Sequence, residues 1–268
     1  MQVSQAYIQT FRNQLDVLDA KTQRIFQTEV ARRNLEERLR NGEADAFEEV
    51  VNIARAVIPA NSRLASALSA NFYDGIRNAS NVKSKFAAES YDTLNEDELY
   101  ADYYAVADEY AKGHTSKPLA KLMGDTSSRF TSYASNETTR RNAARDPARP
   151  RFAIVPSPTA CVFCLMRCSA GYTYPNNASV ESHNHCKCTA VQVYGDTRIE
   201  GYDPKAYQDE YYDAAHAIER GEISDDMKQR IADAKERHQA AYERGETSKK
   251  WDETNAILMV WREQRGQK

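Results

Sequence analysis

All five cysteines of this 268-residue chain, Cys161, Cys164, Cys168, Cys186 and Cys188, lie between positions 161 and 188, with His183 and His185 among them. No other feature restricts the fold as strongly. A Cys-x-x-Cys pair on a tight turn can aim both sulfurs at one point, and a second ligand pair about twenty residues later completes a tetrahedron around zinc. Cys161 and Cys164 supply the first half. Cys186 and Cys188 stand two apart, so on an extended strand they face the same side, and either can pair with His183. The expected metal set is four of Cys161, Cys164, His183, Cys186 and Cys188, with His185 as substitute. Cys168, a helical turn past Cys164, reads as a small buried residue.

The expected role of such a site is structural. The segment between the two halves is rich in Asn, Ser and Gly, so burial alone would order it weakly, whereas zinc contributes roughly 10 kcal/mol or more to a small domain. Four protein ligands also leave no position for water, which removes the Lewis-acid chemistry of a catalytic zinc. No catalytic residue, enzyme activity or small-molecule substrate is expected.

Composition supports the same direction. A chain this long buries a core without disulfides. Its 41% hydrophobic and 28% charged residues suit amphipathic, solvated helices. A net charge of −3 sets up no global field toward nucleic acid. No stretch approaches the roughly 18 apolar residues that span a bilayer, so no membrane partner is expected. The opening MQVSQAYIQTFRNQLDVL has no continuous apolar run, and the expectation is a chain without a secretory signal, folded in a reducing cytoplasm. In that compartment clustered cysteines hold metal or do redox chemistry rather than form a disulfide framework.

The helical period dominates both ends of the chain. Tyr7, Phe11, Leu15, Leu18, Ile25, Phe26 and Val30 fall on one face of a long helix that Asn41 and Gly42 end. A second helix is predicted from Ala44 to Val57, stopping before Pro59, and a third, capped by Asn61 or Ser62, carries Leu64, Leu68, Phe72 and Ile76. Asn95 followed by three acidic residues starts a fourth, whose Tyr100, Tyr103, Tyr104 and Tyr110 form a packing face. A fifth occupies much of Pro118 to Arg145.

At RPRFAIVPSP, residues 149–158, three prolines end the helical pattern and bracket a strand over Phe152 to Val155. A Gly-Tyr and Pro-Asn-Asn turn region follows the cysteine pair, and TAVQVY, residues 189–194, alternates like a half-buried strand. Beyond Asp203-Pro204 helices resume: one with Tyr207, Tyr211, Ala214, Ala215 and Ile218, and one with Met227, Ile231, Ala234, His238 and Ala241 in a packing seam. A last segment, with Trp251 and ILMVW, either tucks into its own core or docks on a partner. The fold class is therefore mainly α with a small zinc-stabilised α+β module. The expected domains are an elongated helical N-terminal region at 1–147, the module at 148–200 and a helical C-terminal region at 201–268.

Rival chemistries have less behind them. His183-Asn184-His185 spells H-N-H, but nucleases of that name spread the three residues over a strand-turn-helix unit, so a contiguous tripeptide does not surround a phosphate. A cysteine nucleophile needs a positioned histidine and an oxyanion hole, for which only residue type speaks. Arg140, Arg141, Arg145, Arg149 and Arg151 give local positive charge for phosphate contact. The commoner role of basic residues at a solvated helix end is to offset the negative end of its dipole, and that reading is preferred. A zinc-containing nuclease, or a DNA-binding or processing factor using these arginines, is the alternative function.

The run VPSPTACVFCLMRCSAGYTY followed by SHNHCKCTAVQVY resembles the MuF-like minor capsid, or head morphogenesis, proteins of tailed bacteriophages. The matching elements are Val155-Pro156, Cys161, Phe163, Cys164, Gly171, Tyr172 or Tyr174, His183, Cys186, Cys188 and Val191 to Val193. Cys168 departs from the pattern, and Ala170 stands where a basic residue is usual. The resemblance implies a low-copy structural protein inside the phage head at the portal vertex, made in the host cytoplasm. Its implied partners are portal, major capsid or scaffold proteins, and packaged DNA.

Overall fold

The structure, a computed structural model, describes residues 2–173, 183–184, 186–245 and 250–267. The chain is mainly helical, with few strands. It divides into two compact units: residues 1–157 with 172–202, and residues 158–171 with 203–268. Residues 148–200, expected as one module, thus supply chain to both.

The first unit opens with a short strand β1 (Gln2–Val3) and a helix α1 (Gln5–Arg32) capped by Ser4, whose side chain accepts from Tyr7 N–H. The predicted single helix to Asn41 is instead two. Asn34 adopts the left-handed conformation (φ 49°), which asparagine tolerates better than most residues, and α2 (Leu35–Arg40) starts afresh after it. This break turns Leu35 and Leu39 into the core beside Phe26 and Val30.

The next correction concerns proline. α3 runs unbroken from Ala44 to Ala79 with Pro59 inside it. An internal proline costs about 3 kcal/mol through a lost hydrogen bond and a ring clash. Val50, Val51, Ala54 and Ile58 before it and Ala65, Phe72, Tyr73 and Ile76 after it are all buried, at about 1.5–3 kcal/mol for each large side chain, so packing outweighs the break. Asn61 caps nothing; its Nδ2 donates to Thr131 Oγ1 at 2.8 Å. Of the predicted face, Phe72 and Ile76 are buried and Leu68 is half-buried, while Leu64 is 54% exposed.

α4 (Glu96–Ala111) begins as predicted, with Asn95 accepting from the Asp97 and Glu98 amides. Its Tyr103 and Tyr110 are buried, while Tyr104 remains exposed. α5 (Leu119–Arg145) follows and is buried over most of its length although rich in Ser, Thr and Asn. Leu99, Tyr103, Val106, Leu119, Met123 and Phe130 join the α1 to α3 side chains in one apolar core.

Two small sheets complete this unit. β2 (Arg151–Val155) pairs antiparallel with β3 (Thr189–Val193), from Arg151 opposite Val193 to Val155 opposite Thr189. All five residues of β3 are buried, so it is not the half-buried strand that its alternation suggests. Gln192, buried in β3, donates from Nε2 to Tyr73 O at 2.7 Å. β1 pairs in parallel with β4 (Arg198–Ile199).

The second unit contains α6 (Val162–Cys168), α7 (Pro204–Glu219), α8 (Asp225–Glu243) and α9 (Glu253–Gln264). Asp203, Ser224 and Asp252 each cap the helix that follows, and Pro204 occupies its first turn, where no amide is needed. Within ILMVW, Val260 and Trp261 are buried; Trp261 Nε1 donates to Glu210 at 2.9 Å and its ring meets Tyr211 edge-on. Of the predicted α8 seam only Met227 is buried. No helix of the described residues is long and apolar enough to cross a membrane.

One charged group ties α3, α5 and the β2–β3 sheet together. Asp146, whose side chain is 0% exposed, receives Arg77 Nε at 2.9 Å, Tyr194 OH at 2.9 Å, Tyr73 OH at 3.1 Å and the Ala148 amide at 2.9 Å. Burial alone would raise its pKa, but the bonds from Arg77, Ala148 and Tyr194 and the Arg77 charge hold it below the ordinary carboxylate range. A folded pKa below the unfolded one stabilises above the unfolded value, and that stabilisation fades as pH falls through the folded value. Asp146→Asn should cost about 3–5 kcal/mol in urea unfolding at pH 7, because it leaves Arg77 buried without its counter-charge. The gap between variant and wild type should narrow once pH drops below about 4; a constant gap down to that range would contradict this account.

Candidate metal centre

Cys161 and Cys164 belong to the second unit, and His183, Cys186 and Cys188 to the first. In the second, Cys161 is the N-cap residue of α6 in extended conformation and Cys164 lies one turn in, so the helical turn folds the Cys-x-x-Cys pair back on itself. Their sulfurs lie within 4.8 Å of one another. Cys161 is half-buried, whereas Cys164 and Cys168 are buried. Cys168, in the last turn of α6, stands outside the Cys/His groups found among the described residues. Gly171 ends this segment at φ +64°, a left-handed value that favours glycine.

In the first unit, His183 is half-buried and Cys186 and Cys188 are buried, with the two sulfurs again within 4.8 Å of one another. The Cys186 amide donates to His183 O at 3.0 Å, and His183 Nδ1 lies 2.6 Å from Asn184 O. Tyr172 is placed by its hydroxyl, which accepts from Ile199 N–H at 2.9 Å, and by edge contact with Tyr202. His185, Tyr174 and the Pro-Asn-Asn turn lie outside the described residues.

All five cysteines are thiols, and a Cys/His group of this chain could hold a metal ion. The chemistry fits. Thiolates with an imidazole are the donors that zinc takes, and tetrahedral bonds of about 2.3 Å put sulfurs about 3.8 Å apart, within the spacing of each pair.

Helices α1 and α5 hold the segment that carries Cys186 and Cys188. Ser132 Oγ donates to Cys186 O at 2.5 Å, and Asn136 Nδ2 donates to Cys188 O at 3.1 Å while its Oδ1 accepts the Ala190 amide at 2.8 Å. From α1, Arg12, itself buried, donates to Thr189 Oγ1, Val155 O and Pro156 O at 2.9–3.0 Å, pinning the paired ends of β2 and β3. Lys187 reaches Asp16 at 2.5 Å and Asp19 at 2.7 Å. Burial by itself would lower the Lys187 pKa, but the two carboxylates more than reverse this and raise it. None of these supporting residues stands out in the sequence: Ser132 and Asn136 are 54 and 52 positions from their partners, and Asp16 is 171 from Lys187.

The arginine cluster is bound within its own unit. Arg140 and Arg141 both contact Glu137, Arg140 at 2.5–2.6 Å and Arg141 at 2.7 Å. Arg145 bonds Glu89 and Tyr91, and Arg151 donates to Gly195 O at 2.8 Å. Arg149 is exposed in a left-handed turn, its amide donating to Asp146 O. Asp146, the one acid within the cluster, is committed to Arg77.

A family model described as VG15 protein matches residues 2–214. The chain belongs to the VG15 protein family. This family is phage-associated, and the match spans the described part of the first unit, both cysteine segments and most of α7. No curated protein and no solved structure matches the chain. Helices α8 and α9 lie beyond the VG15 match.

Burial orders thiol reactivity in the reduced, metal-free chain. Iodoacetamide should modify Cys161 first, with Cys164, Cys168, Cys186 and Cys188 reacting only on unfolding. Peptide mass spectrometry over a time course checks the order, and simultaneous labelling of Cys161 and Cys168 would contradict it.

Proposed function

We propose that this VG15 protein is a MuF-like minor capsid, or head morphogenesis, protein of a tailed phage, located near the portal inside the head. The observation that carries this reading is the VG15 match over residues 2–214, on a chain whose segment 155–193 has the elements of the MuF-like pattern. The protein binds and positions; it catalyses nothing. Its partners are portal, major capsid or scaffold proteins, with packaged DNA as a further contact.

A structural zinc is part of the proposal. Four of Cys161, Cys164, His183, Cys186 and Cys188 hold it, with His185 as substitute, and its chemistry is to cross-link ligands without leaving an open coordination position. The chain's own contribution is a pair of thiols on the first turn of α6, and a second pair in the run leading into β3.

Two measurements test these statements separately. In phage particles carrying this gene, the protein should be present at low copy in procapsids and virions and should co-purify with the portal protein; absence from both particles overturns the capsid role. Metal analysis of the purified chain should give one zinc per protein. Cys161→Ser and Cys186→Ser should lose it while Cys168→Ser keeps it; equal zinc in all three removes the ligand assignment.

A further inference from the structure

Resting on the zinc reading above, we propose that Ser132, Asn136 and the Lys187–Asp16/Asp19 clamp are positioning residues that set Cys186 and Cys188 for metal before any ion arrives. The half-site in the first unit is thus built by helices rather than by the metal. Three consecutive residues are tethered: the Cys186 carbonyl by Ser132, the Lys187 ammonium by Asp16 and Asp19, and the Cys188 carbonyl by Asn136. Asn136 also takes the Ala190 amide, so one side chain spans the residues on either side of Thr189. Thr189 in turn is held by Arg12.

The geometry explains why tethers at these atoms act on the sulfurs. On an extended run, side-chain direction follows from the backbone, and alternate residues face one side. Fixing the carbonyls of Cys186 and Cys188 and drawing Lys187 to α1 therefore restrains the backbone from which both thiols project. Ser132, Asn136 and Arg12 are each buried, so water competes little for these bonds. A zinc site whose ligands are unstructured until metal arrives must order them out of its binding energy. Under this proposal that cost falls on the packing of α1 and α5, which hold the segment through Arg12, Asp16, Asp19, Ser132 and Asn136. Residues that orient ligands from outside the coordination sphere typically change metal affinity 10–100-fold.

The test uses the full chain under reducing conditions. Cobalt is titrated as a spectroscopic stand-in for zinc, with affinity set by competition against a chelator, and hydrogen exchange is followed over residues 186–193 of the metal-free protein. Asn136→Ala and Lys187→Met should each weaken cobalt binding about 10–100-fold. Lys187→Met keeps the apolar stem at a half-exposed position, so it tests the clamp without opening a cavity. Lys205→Met, at the exposed α7 pair with Asp209, should bind as wild type. In metal-free wild type the 186–193 amides should exchange slowly. Exchange at unstructured rates until metal is added overturns the proposal, as does wild-type affinity in both variants, while either result leaves the zinc reading intact. Failure of the wild type to bind cobalt or zinc removes the zinc reading, and this proposal with it.

Discussion

A buried polar seam along α5 is the constraint on which the first unit depends. Small side chains there let α3 approach closely, and each buried hydroxyl or amide must then find a partner or cost about 1–3 kcal/mol. The partners are specific: Asn61 with Thr131, Ser69 with Ser135 O and Thr139, and Asn142 with both backbone groups of Glu89. An apolar interface tolerates small sliding, whereas this one loses several bonds at once if α3 shifts along α5. The seam therefore fixes register, and the apolar core of α1 to α5 supplies most of the burial.

The same helix carries that register to the ligand segment. Ser132 and Asn136 lie one turn apart on α5 and hold Cys186 and Cys188, while Asp146 just past its end joins α3 and Tyr194. Arg12 closes the arrangement from α1 by binding the ends of β2 and β3. The two-stranded sheet is too small to be stable alone. Its order comes from buried hydrogen bonds to helices distant in sequence.

For a phage-associated VG15 protein, this arrangement separates two tasks. The first unit, described wholly within the family match, has a core and a polar framework that need no metal to explain them. The cysteines add donors suited to zinc at positions the fold already restrains. In the arginine cluster, Arg140 and Arg141 share Glu137, Arg145 pairs with Glu89 at the surface, and Arg151 donates to a backbone carbonyl.

Much of the local structure was legible in the residues. Asn95 with its acidic followers marks the start of α4, Pro118 to Arg145 encloses α5, and the prolines around RFAIV isolate β2, because caps, dipoles and proline act over a few residues. The break between α1 and α2 and the continuity of α3 were not legible. Asn34 can sit in a helix surface or in a left-handed turn, and Pro59 can end a helix or be carried by packing on both sides; only the neighbours decide. The Cys-x-x-Cys and Cys-x-Cys spacings pointed to a Cys/His group that could hold a metal ion, since spacing within each pair is a local property. Which side chains hold Cys186 and Cys188 in place was decided by tertiary structure alone, because Ser132, Asn136, Asp16 and Asp19 meet that segment only after α1 and α5 have packed.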